Sequence, residues 1–341
     1  MILGIESSCD DSSVALIDQN SLELVYYEKI SQENEHSKFG GVVPELAARL
    51  HTTDIPSLIA NTKPYFDKIK AISVSNEPGL SVSLLSGVSA AKSLSLALNL
   101  PLIGINHLIG HIYSLFLHSN LVLPLGVLLV SGGHTMVLSI DKNAQISLLA
   151  NTSDDSFGES FDKVAKMLGF GYPGGKIIED LAKTGDENKF NFTIPLKNTN
   201  RLEYSFSGLK NQLREQIEKL KSSNLLSQEI SNLAASFQKT AILHIIDRLN
   251  LVFQTHKFNK FGIVGGASAN QILRQHLLNL CTKFDCELLM SEIEFCSDNA
   301  AMIARAGVDR YKNKAFDDLD MQIYPRSNLQ AKFLDRLWDI C

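Results

Sequence analysis

The sequence contains no CxxC pair, no HExxH motif, no low-complexity tract and no excess of basic residues. Each absence removes a class of protein. The five cysteines (Cys9, Cys281, Cys286, Cys296, Cys341) are odd in number and lack zinc-ribbon spacing, which points to reduced thiols in a cytoplasmic protein. Lys and Arg number 32 against 37 Asp and Glu, a net charge of −5. That balance argues against a dedicated polyanion binder, so nucleic-acid contact would need a local basic patch or a partner's help. The opening Met1-Ile2-Leu3-Gly4-Ile5-Glu6 reaches an acid with no basic stretch before it, so no signal peptide is expected. No apolar run reads as long enough to span a bilayer, and no membrane partner is expected.

With those classes set aside, 341 residues at 45% hydrophobic and 20% charged suit a soluble chain of two domains, each with its own core. Ile2–Ser8, Val14–Gln19 and Leu22–Ser31 read as strands, the first two joined by a polar turn over Cys9–Ser13. Helix Val43–Leu58, strand Lys70–Ser75, helix Leu80–Leu98 and strand Leu102–Ile105 continue an α/β alternation. From Asn151 the pattern turns helical: Phe157–Leu168, Lys176–Lys183, Gly208–Lys221 and Ser227–His256. Strand Gly262–Val264, helix Gln271–Lys283, strand Glu287–Ser291 and a helix ending at Tyr311 complete the readable part.

An internal echo organises this. Leu3–Asp18 reads strand, small polar turn, strand, aspartate, and Gly126–Asp141 has the same form and length. Each hairpin precedes another apolar strand, so the chain is expected to hold two lobes of like topology facing a cleft, the second carrying a helical insertion.

His107 and His111 lie four apart, on one face of a helix, where both imidazoles can grip one metal ion. The spacing alone is a weak signal. Leu108 stands where a zinc protease needs its glutamate base, which disfavours that hydrolytic chemistry. Two imidazoles with a distant carboxylate suit iron, zinc or manganese. Asp298, at a helix start, is the candidate third ligand, and an ordinary N-cap is its plainer role. Ser131-Gly132-Gly133 is either a tight hairpin turn or an anion cradle, and the echo with Ser7–Ser13 favours the cradle. Gly265-Gly266 before helix Gln271–Lys283 is ambiguous in the same way. Cys9 sits in the first hairpin without a neighbouring histidine. Lys210, Arg214, Lys219 and Lys221 on one helix, and Arg305, Arg310, Lys312 and Lys314 on another, read first as solvated faces.

Taken together, these motifs resemble the tRNA N6-adenosine threonylcarbamoyltransferases, the bacterial TsaD family of the actin/sugar-kinase/Hsp70 (ASKHA) superfamily. The residues that carry the resemblance run through nearly the whole chain: Gly4–Asp10, Gly40–Glu45, Pro78–Leu80, Asn106-His107 with Gly110-His111, Leu129–Thr135, Phe161–Lys163, Tyr172–Gly175, Ser205–Lys210, Gly265–Asn270 and Cys296–Asn299. The resemblance implies an actin-like lobe over 1–112, completed by residues about 313–341, and a second lobe over 113–312 with its insertion at about 152–256.

It further implies transfer of threonylcarbamoyl from threonylcarbamoyl-AMP to N6 of adenosine 37 in tRNAs that read codons beginning with adenine (t6A formation). By this match His107, His111 and Asp298 would hold one metal ion per subunit, iron by family habit, while Leu129, Val130, Ser131, Gly132, Gly133, Asp162, Gly175 and Asn270 would bind the donor or an ATP or ADP nucleotide. Glu179 aligns where many relatives carry a ribose-binding aspartate. Asp11 and Glu77 also depart from the family pattern, which often has glutamate and glycine there. Expected partners are tRNA, a smaller paralogous (TsaB-like) subunit, a P-loop ATPase (TsaE-like) and an upstream threonylcarbamoyl-AMP synthase. Adenosine N6 is a poor nucleophile and the donor an activated anhydride, so catalysis needs orientation, carbonyl polarisation and a proton acceptor, for which Asp10 is the choice. A metalloprotease, a small-molecule kinase of the same superfamily and a non-catalytic scaffold are the competing readings.

Overall fold

The structure, a computed structural model, describes residues 1–326. Cys341 and most of the tail expected to complete the first lobe lie outside the described residues. The chain divides into two compact units: Met1–Leu123 with Ile140–Ile146 and the described chain from Ser291, and Pro124–Ser139 with Ser147–Met290.

In the first unit β1 (Ile2–Glu6), β2 (Asp11–Ile17), β3 (Leu24–Ser31), α1 (Glu33–Ser37), α2 (Pro44–Asn61), β4 (Ala71–Glu77), α3 (Ser81–Leu98), β5 (Leu102–Asn106) and α4 (His107–Tyr113) follow in order. The sheet runs β3-β2-β1-β4-β5; β1 pairs antiparallel with β2 and parallel with β4, so it sits at the centre. Every residue of β1 is buried, as expected of a strand covered on both faces. Strand β2 begins at Asp11, so the turn before it is shorter than expected and Ser12 and Ser13 lie inside the strand, fully buried. Pro44 opens α2, where its missing N–H costs no helical bond.

Helix α3 has 18 residues at a mean hydropathy of 1.3, long and apolar enough to cross a membrane by length and composition. That corrects the expectation that no run reaches this length. Its Leu84, Gly87, Val88 and Ala91 are buried on one face, where the helix packs against β4 and α2, while Leu85 and Leu96 on the helix are exposed.

The second unit comprises β6 (Leu125–Val130), β7 (Thr135–Ile140), β8 (Ile146–Thr152), α5 (Phe157–Met167), α6 (Gly174–Ala182), β9 (Glu203–Tyr204), α7 (Ser207–Ser222), α8 (Leu226–Thr255), β10 (Lys260–Val264), α9 (Gln271–Lys283) and β11 (Glu287–Met290). Its sheet runs β11-β10-β6-β7-β8-β9. Without the two-residue β9, this is the order of the first sheet, third-second-first-fourth-fifth. The two echoing hairpins therefore occupy the same place in both sheets. The helical insertion packs through aromatic rings, with Phe157–Phe161 and Phe161–Phe237 centroids 4.6 and 5.1 Å apart.

The last described helix, α10 (Ala300–Lys312), lies on the first unit against β1, β2, β4, β5 and α4. Residues from Ser291 to Lys312 thus group with the first unit, unlike the division at 112/113 and 312 drawn from sequence. The physical reason is small residues. A Cβ on Gly4 of β1 would sit 2.4 Å from the Ala300 carbonyl, so glycine is what lets α10 approach the central strand. Arg305, read from sequence as part of a solvated basic face, is instead fully buried and donates to the Phe116 and Ser119 carbonyls at 2.9 and 3.0 Å and to Asp309 at 2.8 Å.

Candidate metal centre

Helix α4 starts directly after β5. Asn106 caps it, its Oδ1 accepting from the N–H groups of Leu108 (2.9 Å) and Ile109 (3.3 Å). This start fixes His107 and His111 on one buried face, with ring centroids 4.6 Å apart and planes at 76°. The third group arrives on the segment before α10. There Asn299, not Asp298, is the N-cap, accepting from the Met302 N–H at 2.9 Å. Asp298 is released from capping, and its Oδ1 lies 3.3 Å from Nε2 of both histidines.

The residues present fit a metal ion. One donor atom from each of the three lies within 4.8 Å of the others. The 3.3 Å separations match adjacent donors around an ion bound at about 2.0–2.2 Å. His111 is fully buried, yet neither ring nitrogen has a hydrogen-bond partner of good geometry, a costly state for a polar group without a ligand. Burial also lowers its pKa, which keeps the imidazole neutral with a lone pair to offer.

Behind His107 stands Glu6, at the end of β1, with Oε2 3.1 Å from Nδ1; Ser8 Oγ is also 3.1 Å from that nitrogen. Such a carboxylate directs Nε2 outward and makes it a better donor. Burial would raise the Glu6 carboxyl and lower His107, but the charges opposite prevail: His107 holds Glu6 below the usual range, and Asp298 and Glu6 together hold His107 well above its own. Likewise the imidazoles overcome burial at Asp298 and hold it well below the carboxylate range. Lys29 of β3 donates to Ser297 Oγ (3.2 Å) and the Asp298 carbonyl (3.0 Å), and pairs with Asp11 at 2.5 Å. Burial pushes Asp11 up to about 6, with Lys29 opposing. Glu6, Ser8 and Lys29 escaped sequence reasoning. Glu6 ends an apolar strand, and that position, an acid closing a buried run, was the available signal.

Asp10 lies in the β1–β2 turn, half-buried, its carbonyl accepting from the Gln32 N–H at 3.3 Å. Burial pushes the Cys9 thiol well above its usual range, with Asp10 and Asp298 adding to the effect, so Cys9 is no reactive thiolate.

In the second unit Leu129 and Val130 are fully buried in β6, so only their backbone can meet a ligand. The Ser131 N–H donates to the His134 carbonyl (2.9 Å) and its Oγ accepts from the His134 N–H (3.1 Å). Ser131 is therefore committed to its own turn, and an anion would rest on the amides of Gly132 and Gly133, where a Cβ would meet nothing within 4 Å. The turn is braced by Ser156 Oγ on the Gly132 carbonyl (2.6 Å) and the Gly158 N–H on the Ser131 carbonyl (3.2 Å). Asp162 accepts from the Gly174 N–H at 2.7 Å, beside open Gly175. Asn270 caps α9 through the Leu273 N–H (2.9 Å), and Glu179 accepts from the Gln271 N–H (3.1 Å), so these two meet at the start of that helix. Lys210 and Lys163 both pair with Asp155, which takes Lys210 away from the basic face read on α7.

Among solved structures the chain is similar to the activator of 2-hydroxyisocaproyl-CoA dehydratase from Clostridium difficile with bound ADPNP (12% identity, 94% of this chain and 99% of that one, TM-score 0.51). It is also similar to T. kodakarensis HypF (13% identity, 92% and 48%, TM-score 0.60). Both are ASKHA-fold proteins, and identities this low speak for the fold alone. Among curated proteins the chain is 67% identical to the tRNA N6-adenosine threonylcarbamoyltransferase of Campylobacter fetus over 97% of its length and 98% of the relative, and 62% identical to that of Campylobacter hominis over 97% and 99%. The family profile described as "TsaD: tRNA N6-adenosine threonylcarbamoyltransferase" matches residues 23–305. With a metal-competent His-His-Asp cluster on a duplicated α/β fold and relatives this similar over their full length, the chain belongs to the tRNA N6-adenosine threonylcarbamoyltransferase family.

Proposed function

We propose that the His107–His111–Asp298 centre serves the family's reaction. The chain transfers a threonylcarbamoyl group to adenosine 37 of tRNA, forming t6A. What supports the centre's part in this is one observation: two buried imidazoles and a carboxylate converge at 3.3 Å with Glu6 backing the first of them.

In this reading His107, His111 and Asp298 hold one metal ion, iron by family habit. When bound, it supplies Lewis-acid polarisation and orientation of the donor's threonylcarbamoyl group. Glu6 keeps His107 in the tautomer that offers Nε2. The Gly132 and Gly133 amides hold the phosphate of threonylcarbamoyl-AMP, while Asp162, Gly175, Glu179 and Asn270 line the donor's nucleotide site. Adenosine N6 forms a bond to the carbamoyl carbon, the carbon–oxygen bond to phosphate breaks, and AMP departs with the electron pair. Asp10 accepts the proton that N6 releases. The partners in this reading are a smaller paralogous subunit, a P-loop ATPase and the enzyme that makes the donor, in the cytoplasm.

The test combines the purified chain and these partners with threonine, bicarbonate, ATP, the donor-forming enzyme and unmodified tRNA, followed by mass spectrometry of nucleosides. The intact chain yields modified adenosine, and Asp298→Asn yields background while losing its metal by elemental analysis. Wild-type turnover by metal-free Asp298→Asn would overturn the centre's role.

A further inference from the structure

His51 on α2 is fully buried, and its Nε2 lies 3.0 Å from the Cys9 carbonyl. A carbonyl only accepts, so Nε2 carries the proton and Nδ1 must itself accept. It does so from Ser12 Oγ at 2.7 Å and Gln32 Nε2 at 3.3 Å. Gln32, 2% exposed, is thereby oriented with Oε1 toward His36, accepting from Nε2 at 3.1 Å. His36, fully buried, accepts at Nδ1 from the Val43 N–H at 3.2 Å. From the Cys9 carbonyl through His51, Gln32 and His36 the donors and acceptors match in one sense only, while the Ser12 hydroxyl also has Asp54 within 3.4 Å. Turning the Gln32 amide over would set two acceptors together at His51 and two donors at His36.

The chain of bonds begins and ends at informative places. The two carbonyls flanking the Asp10 turn are both held from it: Cys9 by His51 and Asp10 by the Gln32 N–H at 3.3 Å. At the other end lie Gly40 and Gly41, with φ of +70° and +157° and open space where side chains would be. This loop has little packing of its own and is tied down through the Gly41 N–H on the His36 carbonyl (3.4 Å) and the Val43–His36 bond.

We propose that His51, Gln32 and His36 form one oriented relay of positioning residues that holds the Asp10 turn in register with the Gly40-Gly41 loop during transfer. The proposal rests on reading Asp10 as the proton acceptor. Buried networks of this kind stabilise one geometry when complete and are expensive when broken, so a change at the loop end reaches the turn.

The test is nitrogen NMR of the full-length chain labelled at histidine, with steady-state transfer assays in the complete system. His51 is expected in the neutral Nε2–H form. His36→Leu, which does not touch His51, shifts the His51 signals and lowers kcat by about tenfold to a hundredfold with little change in donor KM. It adds no further loss to Asp10→Asn. Gln32→Glu keeps the shape but sets an oxygen against Nδ1, so His51 takes a second proton while Ser12 turns its own toward Asp54, 3.4 Å away. An Nδ1–H form in the intact chain, or His51 signals unmoved by both variants, overturns the relay. Turnover by Asp10→Asn refutes the Asp10 reading instead, and the relay then stands or falls on the His51 signals.

Discussion

The Glu6 carboxylate lies 3.1 Å from Nδ1 of His107, on the side of the ring opposite the nitrogen that faces Asp298. A ligand held this way binds metal more tightly than a free imidazole. Glu6→Gln keeps a hydrogen-bond partner of equal size but removes the charge, and metal affinity should fall by about 10–100-fold. Competition with a chromophoric chelator measures it. Unchanged affinity would show that Glu6 does not tune the site.

Metal binding to the folded chain should raise its stability by mass action. At 100 times the dissociation constant the gain is about 2.7 kcal/mol, so a chelator lowers the thermal midpoint of the wild-type chain. Asp298→Asn should give the same midpoint with and without chelator. A chelator-sensitive midpoint in that variant would move the ligand set elsewhere.

Gly265 has φ +92°, and a Cβ there would lie 2.3 Å from the Val130 carbonyl. Both strain and overlap act against a side chain, because β6 and β10 are neighbours and neither backbone can retreat. Gly265→Ala should cost at least about 2 kcal/mol in denaturant unfolding. A loss below the error of that measurement would mean the turn accommodates a methyl group.

His244 is buried between Tyr204 and Phe206 and accepts from the Ser205 N–H at 3.1 Å. Burial, with Arg248 adding, lowers its pKa to about 4 from the ordinary 6.5. The unfolded chain takes up this proton first, so folded stability falls as pH drops from 6.5 toward 4. The His244 share of that loss is about 3 kcal/mol. Unfolding curves at pH 7 and 4 should differ by that much more in the wild type than in His244→Gln. Equal differences would place the acid sensitivity elsewhere.

Much of this was legible beforehand for reasons that can be named. The two hairpins were readable because a strand-turn-strand pattern is local and its repetition is visible by eye. The pairing of His107 with His111 follows from helical geometry alone. Asp298 was harder: aspartate and asparagine both cap helices, and only the structure shows that Asn299 takes the cap and leaves its neighbour's carboxylate for the histidines. Arg305 reads as one more surface cation because nothing nearby in sequence announces the Phe116 and Ser119 carbonyls. Glu6 and Lys29 act through partners about 100 and 270 residues away, a distance that no local pattern spans.

Helix α10 follows all of the second unit in the chain yet lies on β1 of the first. During synthesis, a chain made only through β11 therefore contains His107 and His111 but not yet Asp298, the carboxylate of the proposed set. If the proposed set holds a metal, the full set would form only once Asp298 has been made and α10 lies over Gly4. The proposed centre would thus be assembled only after both units' strands have been made, and a chain cut before Asp298 would carry its two histidines without the carboxylate.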